Sequence, residues 1–290
     1  MYAADFDYYR AASLADAARL LSANPGARLL AGGHSLIPLL KLRLSTPAAI
    51  IDIGRVPELG GISESGGALR IGALTTHAEL AASDAVRSSA PALSEAAGLV
   101  GDPAVRNRGT IGGNIAHADP ASDLPTVLVA LDAEVIAVGS AGERTIRAAD
   151  FFLGMMTTAL APGEILSAVV VRRQGRGQGS AYAKFPHPAS RYAVVGAAAV
   201  VSMKDGTCKE ARVAVGGLVP SARRVSAVER ALTGTKADPA AIASASAQVR
   251  AALGQDVSGD IYASAEYRAA VAPVYVERAI LGAVARAGNA

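Results

Sequence analysis

The chain has a single cysteine, Cys208. It therefore forms no internal disulfide and falls short of the about four thiolates that an iron–sulfur cluster needs. Its four histidines, His34, His77, His117 and His187, lie far apart and lack the close pairs of a zinc motif. They read as structural, and no metal is expected on this chain. Any redox metal must come from a partner. Long apolar runs are missing as well. Hydrophobic residues make up 51% and mean hydropathy is +0.30. Yet the longest run without a charge or an amide, Phe151 to Gly163, has 13 residues and holds Gly154 and Pro162. A spanning helix needs about 20. The opening MYAADFDYYR is acidic where a signal peptide carries positive charge. A soluble, cytoplasmic protein with no membrane span is expected. Dense basic charge is absent too: net charge is +3, and Arg172, Arg173 and Arg176 form the one tight basic group, with no aromatic residue among them. A nucleic-acid groove needs denser charge and stacking partners, so no nucleic acid is expected and this group reads as a solvated loop.

What is present is enough chain, 290 residues, for two or three lobes with their own cores. Ser13-Leu-Ala-Asp16 opens a helix in capping-box style, with Asp16 in the place of Glu, and Asn24-Pro25-Gly26 stops it. Strands are expected at Ala27 to Ala31, Ala48 to Ile53 and Ala68 to Leu74. Thr76 to Val100 reads as helix interrupted near Asp84 and Pro91. The polar, Gly-rich stretch from Gly101 to Asp123 reads as irregular chain, which at that length usually carries function. A helix over Leu124 to Leu131 and strands over Ala133 to Val138 and Glu164 to Val171 follow. Gln174-Gly-Arg-Gly-Gln-Gly179 reads as a linker or hairpin loop. It has no strand-to-helix context for phosphate binding. Beyond it come three strands in a meander, Ser180 to Phe185, Ala193 to Met203 and Cys208 to Val215. Three helices close the chain: Ala222 to Leu232, Pro239 to Leu253, and Ser264 to Arg286, the last kinked or restarted at Pro273.

Two glycine pairs carry the chemistry. Ala31-Gly-Gly-His-Ser35 follows a buried strand, and Thr110-Ile-Gly-Gly-Asn114 lies in the irregular stretch. Each is a tight turn or an anion-binding nest of backbone N–H groups, with Ser35, Thr110 and Asn114 adding donors. Two such nests would suit the two phosphates of a dinucleotide. Neither fits GxGxxG, so the Rossmann fingerprint is missing. Asp119 and Asp123, four apart, read as an acid–base pair, as a helix cap at Asp123, or as an acceptor for a ribose hydroxyl. Lys184 to Tyr192 offers two cations and a ring between two strands, or is an ordinary polar hairpin. No arrangement resembles a catalytic triad, and no residue is assigned a catalytic role.

AGGHSLIPLLKLRL (Ala31 to Leu44) and TIGGNIAHADPASDLP (Thr110 to Pro125) closely resemble the FAD-binding medium subunit of the molybdenum hydroxylases, the xanthine dehydrogenase and aerobic carbon monoxide dehydrogenase family. FDYYRAASLADAARLL and KFPHPASRYAVVGAAA (Lys184 to Ala199) match in the same order, so the likeness covers essentially the whole chain. The resemblance implies an α+β protein. A two-subdomain α/β FAD-binding unit of the vanillyl-alcohol-oxidase-like fold, residues 1–55 and 56–175, precedes a small α+β domain, residues 180–290, with a three-stranded antiparallel sheet and helices. It implies FAD as cofactor. Arg28 to Leu36, Ala31 included, would form the first loop, with backbone groups of Gly32, Gly33, His34 and Ser35 against the pyrophosphate. Thr110, Gly112, Gly113 and Asn114 would form the second loop. Asp123 would contact the ribose side, and Ile165 or Leu166 would pack an aliphatic group on the cofactor. Lys184 and Tyr192 would approach the isoalloxazine, and Val100 falls where some relatives carry an aromatic residue. The implied partners are a large subunit with a molybdenum–pterin cofactor and a small subunit with two 2Fe–2S clusters, in a dimer of heterotrimers. The implied role is transfer of electrons from those clusters to an external acceptor: quinone, NAD or oxygen. A positive charge at Lys184 or Arg191 would favour reduced anionic flavin. The alternative is a free-standing FAD-dependent oxidoreductase of the same fold, and a further one is a scaffold that has lost the cofactor.

Overall fold

A computed structural model describes residues 2–288. The first lobe runs β1 (Asp7–Arg10), α1 (Leu14–Ala23), β2 (Arg28–Leu30), α2 (Leu36–Lys41), β3 (Ala49–Asp52). Its strands form a parallel sheet in the order β1-β3-β2. Ser13 caps α1 by accepting from the Asp16 N–H at 3.1 Å. The Asp16 carboxylate accepts from Ala12 rather than from the cap residue itself, so the box is displaced by one position. β1 has no hydrophobic alternation, and α2 has Pro38 at its third residue. Neither gives a periodic signal.

The second lobe comprises β4 (Ile62–Ser65), β5 (Ala68–Gly72), α3 (His77–Ala82), α4 (Asp84–Ser89), α5 (Pro91–Leu99), α6 (Pro103–Arg106), α7 (Ile111–His117), α8 (Asp123–Ala130), β6 (Glu134–Gly139), β7 (Gly142–Arg147), α9 (Ala148–Phe151), β8 (Phe152–Gly154), β9 (Thr157–Thr158) and β10 (Ile165–Arg172). β10 lies central in an antiparallel sheet of order β4-β5-β10-β6-β7. The stretch expected as irregular, Gly101 to Asp123, instead holds α6 and α7, capped by Asp102 and Thr110. Helices of four and seven residues are too short to show a 3.6-residue period.

The third lobe is β11 (Gln178–Pro186), β12 (Ala193–Lys204), β13 (Thr207–Gly216), β14 (Arg223–Arg224), α10 (Ser226–Leu232), α11 (Pro239–Leu253) and α12 (Ala265–Gly288). The meander is present, but a fourth, two-residue strand extends it to β11-β12-β13-β14. α12 is continuous through Pro273 rather than restarted there. β12 is buried on both faces. Val195, Ala197, Ala199 and Val201 pack with Val249, Val276 and Ile280 of α11 and α12. Ala198 and Val200 face the core shared with Leu124, Val127 and Leu128 of α8. That shared core fixes the third lobe against the second. The connection before β11, expected as a linker with nothing to bury, is pinned: Gln174 donates to Ser89 O at 2.9 Å, and Met203 donates to Gly177 O at 2.7 Å.

Candidate functional site

The two glycine turns, some eighty residues apart in sequence, touch. A Cβ on Gly32 would stand 2.9 Å from the Arg108 carbonyl carbon, closer still to its oxygen, and 3.0 Å from Gly109 Cα. His34 bridges the same gap, with Nε2 3.3 Å from Ala104 O of α6. Gly33 adopts φ +77°, a left-handed conformation that favours glycine. Past it, Leu36 begins α2. The N–H groups of Gly32, Gly33, His34, Ser35 and Leu36 donate to no partner among the described residues. Gly32 is half-buried and His34 exposed, so this row of donors faces an open surface.

The second turn is built otherwise. Ile111 N donates to Thr75 O (2.9 Å), Gly112 N to Ala73 O (2.8 Å), Gly113 N to Thr110 Oγ1 (3.1 Å) and Asn114 N to Thr110 O (3.0 Å). Its donors are consumed, and its glycines serve close packing. A Cβ on Gly112 would lie 2.5 Å from Ala73 Cβ, and one on Gly113 2.9 Å from Thr110 Oγ1. His77 lies behind this turn, with its N–H on Gly109 O at 3.0 Å and its ring close against Gly109. Burial, and then the charges of His34 and Arg106, lower its pKa to about 4, so the ring is neutral at neutral pH. Nothing in the sequence around His77 points to the site; Gly109, which carries no side chain, lets its ring come up against the second turn.

Asn114 continues the path. Its Nδ2 donates to Ser122 Oγ at 3.2 Å, while Oδ1 is buried without a partner. Whichever way the amide is turned, one terminal atom is buried without a partner. Asp123, next in line, is the first residue of α8, and Ser122 is the cap. The helix-cap reading of Asp123 is therefore corrected: its side chain turns inward. Tyr182 OH donates to Asp123 Oδ1 at 2.6 Å and Lys184 Nζ donates to Oδ2 at 2.8 Å; Nζ also reaches Leu99 O at 3.1 Å. Burial pushes the Asp123 carboxyl above its ordinary value, opposed by the Lys184 ammonium and the Tyr182 hydroxyl. Burial and the same carboxylate hold the Tyr182 phenol well above its usual range. Lys184, expected as a positive charge near the flavin, has its ammonium buried against Asp123. Removing it would leave a carboxylate stranded in the core.

Other expected residues fall around this line. Tyr192 is half-exposed at 43%, and its carbonyl accepts from His187 N at 2.7 Å. Its neighbour Ala193 donates to Ala121 O at 3.0 Å, which sets the Lys184–Tyr192 segment against the loop before Asp123. Val100, the C-cap of α5, is half-buried and its carbonyl accepts from Arg106 Nη1 at 3.1 Å. Ile165 (1% exposed) packs into the core of the first lobe with Ile51 and Leu59, and Leu166 (5%) into that of the second. Arg28 is exposed at the start of β2, and Ala31 is half-buried where the turn begins. The donor row and the unsatisfied Asn114 amide fit a flavin dinucleotide. The diphosphate requires donors, and a sugar or ribityl hydroxyl supplies the hydrogen that Asn114 Oδ1 lacks. No metal-ligating cluster of three or more such side chains occurs among the described residues.

Residues 4–172 match the family described as the FAD binding domain in molybdopterin dehydrogenase, and residues 180–283 the CO dehydrogenase flavoprotein C-terminal domain. The 6-hydroxypseudooxynicotine dehydrogenase complex subunit alpha of Paenarthrobacter nicotinovorans is 41% identical over 287 residues, covering 97% of this chain and 95% of that protein. In solved structures, a chain of the carbon monoxide dehydrogenase from Hydrogenophaga pseudoflava, in a form lacking the Mo-pyranopterin moiety, superposes with TM-score 0.94. It shares 39% identity and 99% coverage of both chains. A chain of quinoline 2-oxidoreductase from Pseudomonas putida 86 superposes with TM-score 0.92, 34% identity and 99% coverage of both.

Proposed function

The chain belongs to the FAD-binding medium-subunit family of the molybdenum hydroxylases, and from that premise we propose that it relays electrons from a partner's iron–sulfur clusters to an outside acceptor. FAD is its cofactor, and it acts as an oxidoreductase subunit beside large and small partner subunits. The single Cys208 agrees with that division, since the clusters need thiolates this chain lacks. The finer arrangement, a dimer of heterotrimers with quinone, NAD or oxygen as acceptor, is part of the proposal. Among the described residues no helix is long and apolar enough to cross a membrane.

The observation that carries the reading is the unsatisfied N–H row of Gly32 to Leu36 lying against the second turn. In this reading those five groups hold the diphosphate, and the Thr110 hydroxyl and Gly112 keep the facing wall rigid. Asn114 Oδ1 accepts from a hydroxyl, and Tyr192 covers one side of the ring system. The Asp123–Lys184–Tyr182 knot sets the third lobe, and with it Tyr192, at a fixed height above the turns. FAD when bound supplies acceptance and release of electrons; the protein's share is to fix the ring, set its surroundings and exclude side reactions. Because the similar chains come from enzymes named for molecules as unlike as carbon monoxide, quinoline and 6-hydroxypseudooxynicotine, substrate choice is assigned to the large subunit. Co-purification with the partner subunits should give a yellow complex with about one flavin per medium chain by absorbance. A colourless complex that takes up no added FAD would overturn the assignment. Assaying the yellow complex with quinone, NAD and oxygen in turn identifies the acceptor.

A further inference from the structure

A second site lies away from the turns. A cleft of about 640 Å³ opens where α4, α5, the connection around residue 175 and the end of α12 meet. That volume falls within the roughly 300–1,000 Å³ of small-molecule sites. It shares no lining residue with the glycine turns or the Asp123 knot. Arg87, Arg176 and Arg286 line it against one carboxylate, Glu95.

We propose that this cleft binds a small phosphorylated molecule. Glu95 does not neutralise it. One Glu95 oxygen is taken by Arg286 and the other accepts the Tyr182 N–H at 3.0 Å. The same pairing, with Arg286 Nη1 on Ser180 O at 2.5 Å, fixes the Arg286 guanidinium in the wall. Arg87 pairs with Asp84 in an exposed contact one helical turn away, a kind of pair that holds weakly and yields to a better anion. Arg176 makes no ion pair among the described residues.

The floor is preorganised. Gln178 donates to Gly175 O at 3.0 Å and returns its Oε1 to the Gly175 N–H at 2.9 Å, while its Nε2 reaches Ser202 Oγ at 3.1 Å. Gly177, at φ +74°, packs so close to Met203 that a Cβ would stand 2.6 Å from its carbonyl oxygen. The N–H groups of Arg176 and Gly177, central in this turn, donate to nothing among the described residues. Gln174 Nε2 is buried and likewise without a partner. Such a wall binds without first paying the entropy of ordering a loop. The guanidinium groups of Arg87 and Arg176, the Arg176 backbone N–H and the Gln174 amide offer more donors than a carboxylate has oxygens to receive, and phosphate is the anion whose oxygens match them. A ligand held by Arg87, Arg176 and Arg286 would tie the second lobe, the connection and the third lobe together.

The test uses the FAD-loaded complex at low salt, titrated with inorganic phosphate, ADP and succinate and read by thermal shift and equilibrium dialysis. Phosphate or ADP should bind saturably and raise the melting temperature. Arg176→Ala should weaken that binding about tenfold with flavin content unchanged. Arg176 is exposed, so folding is not at stake; Arg87→Ala should act in the same direction. Binding of phosphate alone places recognition on the phosphate group, whereas a requirement for ADP places part of it on the rest of the molecule. No saturable binding up to about 10 mM, equal affinity in Arg176→Ala, or succinate binding as tightly as phosphate would each overturn the proposal.

Discussion

Two glycine pairs of nearly the same composition do opposite work. In Gly32-Gly33 the backbone N–H groups are left over, and the missing side chains let the turn lie on the Arg108 carbonyl. In Gly112-Gly113 every N–H is spent within the protein, and the missing side chains let α7 sit on Ala73 and Thr110. The first turn leaves its donors open; the second spends its donors within the protein and packs as a brace. A glycine pair in sequence therefore marks close approach, and the hydrogen-bond inventory shows whether the approach is to a ligand or to the chain's own core.

Substitutions that break the contrast should be graded. Gly32→Ala drives a Cβ into Arg108 O and parts the turns. It should weaken FAD binding by about a hundredfold, equivalent to ~3 kcal/mol of overpacking, while circular dichroism stays native. Retention of full flavin by that variant would remove the open-turn role. Gly112→Ala should instead cost about 1–3 kcal/mol of stability in a denaturant melt, with flavin lost only as the protein unfolds. If flavin left the folded Gly112→Ala protein first, the brace and the receiver would have been assigned the wrong way round. His77 sharpens the comparison through pH. Its folded pKa of about 4 lies below the unfolded 6.5, so the unfolded chain binds the extra proton between those values. The stability contributed by the neutral ring is complete above about 6.5 and declines as pH falls toward 4. Acid melts should show a loss of about 2 kcal/mol by pH 5, and His77→Gln should flatten that slope. A variant with the slope intact would place the acid sensitivity elsewhere.

Much of the fold was legible. Ser13 and Asn24 bound α1 as read, Pro239 to Leu253 matched α11, and the three long strands of the third lobe stood where hydrophobic runs placed them. The failures share a cause. α2, α6 and α7 are four to seven residues long, β14 has two residues, and β1 is mostly exposed, so none accumulates enough period to be seen. In the site, the glycine motifs and Asp123 and Lys184 were visible as residue types, and the likeness to a family gave them a common purpose. The pairing of Asp123 with Lys184 and Tyr182 was not visible, because it joins positions about sixty residues apart on a helix and a strand.

The sequence by itself determined the exclusions and the parts list: one cysteine, so no cluster; no long apolar helix; two glycine pairs beside polar donors. Tertiary structure alone decided which donors remain unsatisfied, which charges cancel, and which histidine is forced neutral. Those properties depend on distance and solvent access, and folding sets both by packing segments that the chain itself keeps far apart.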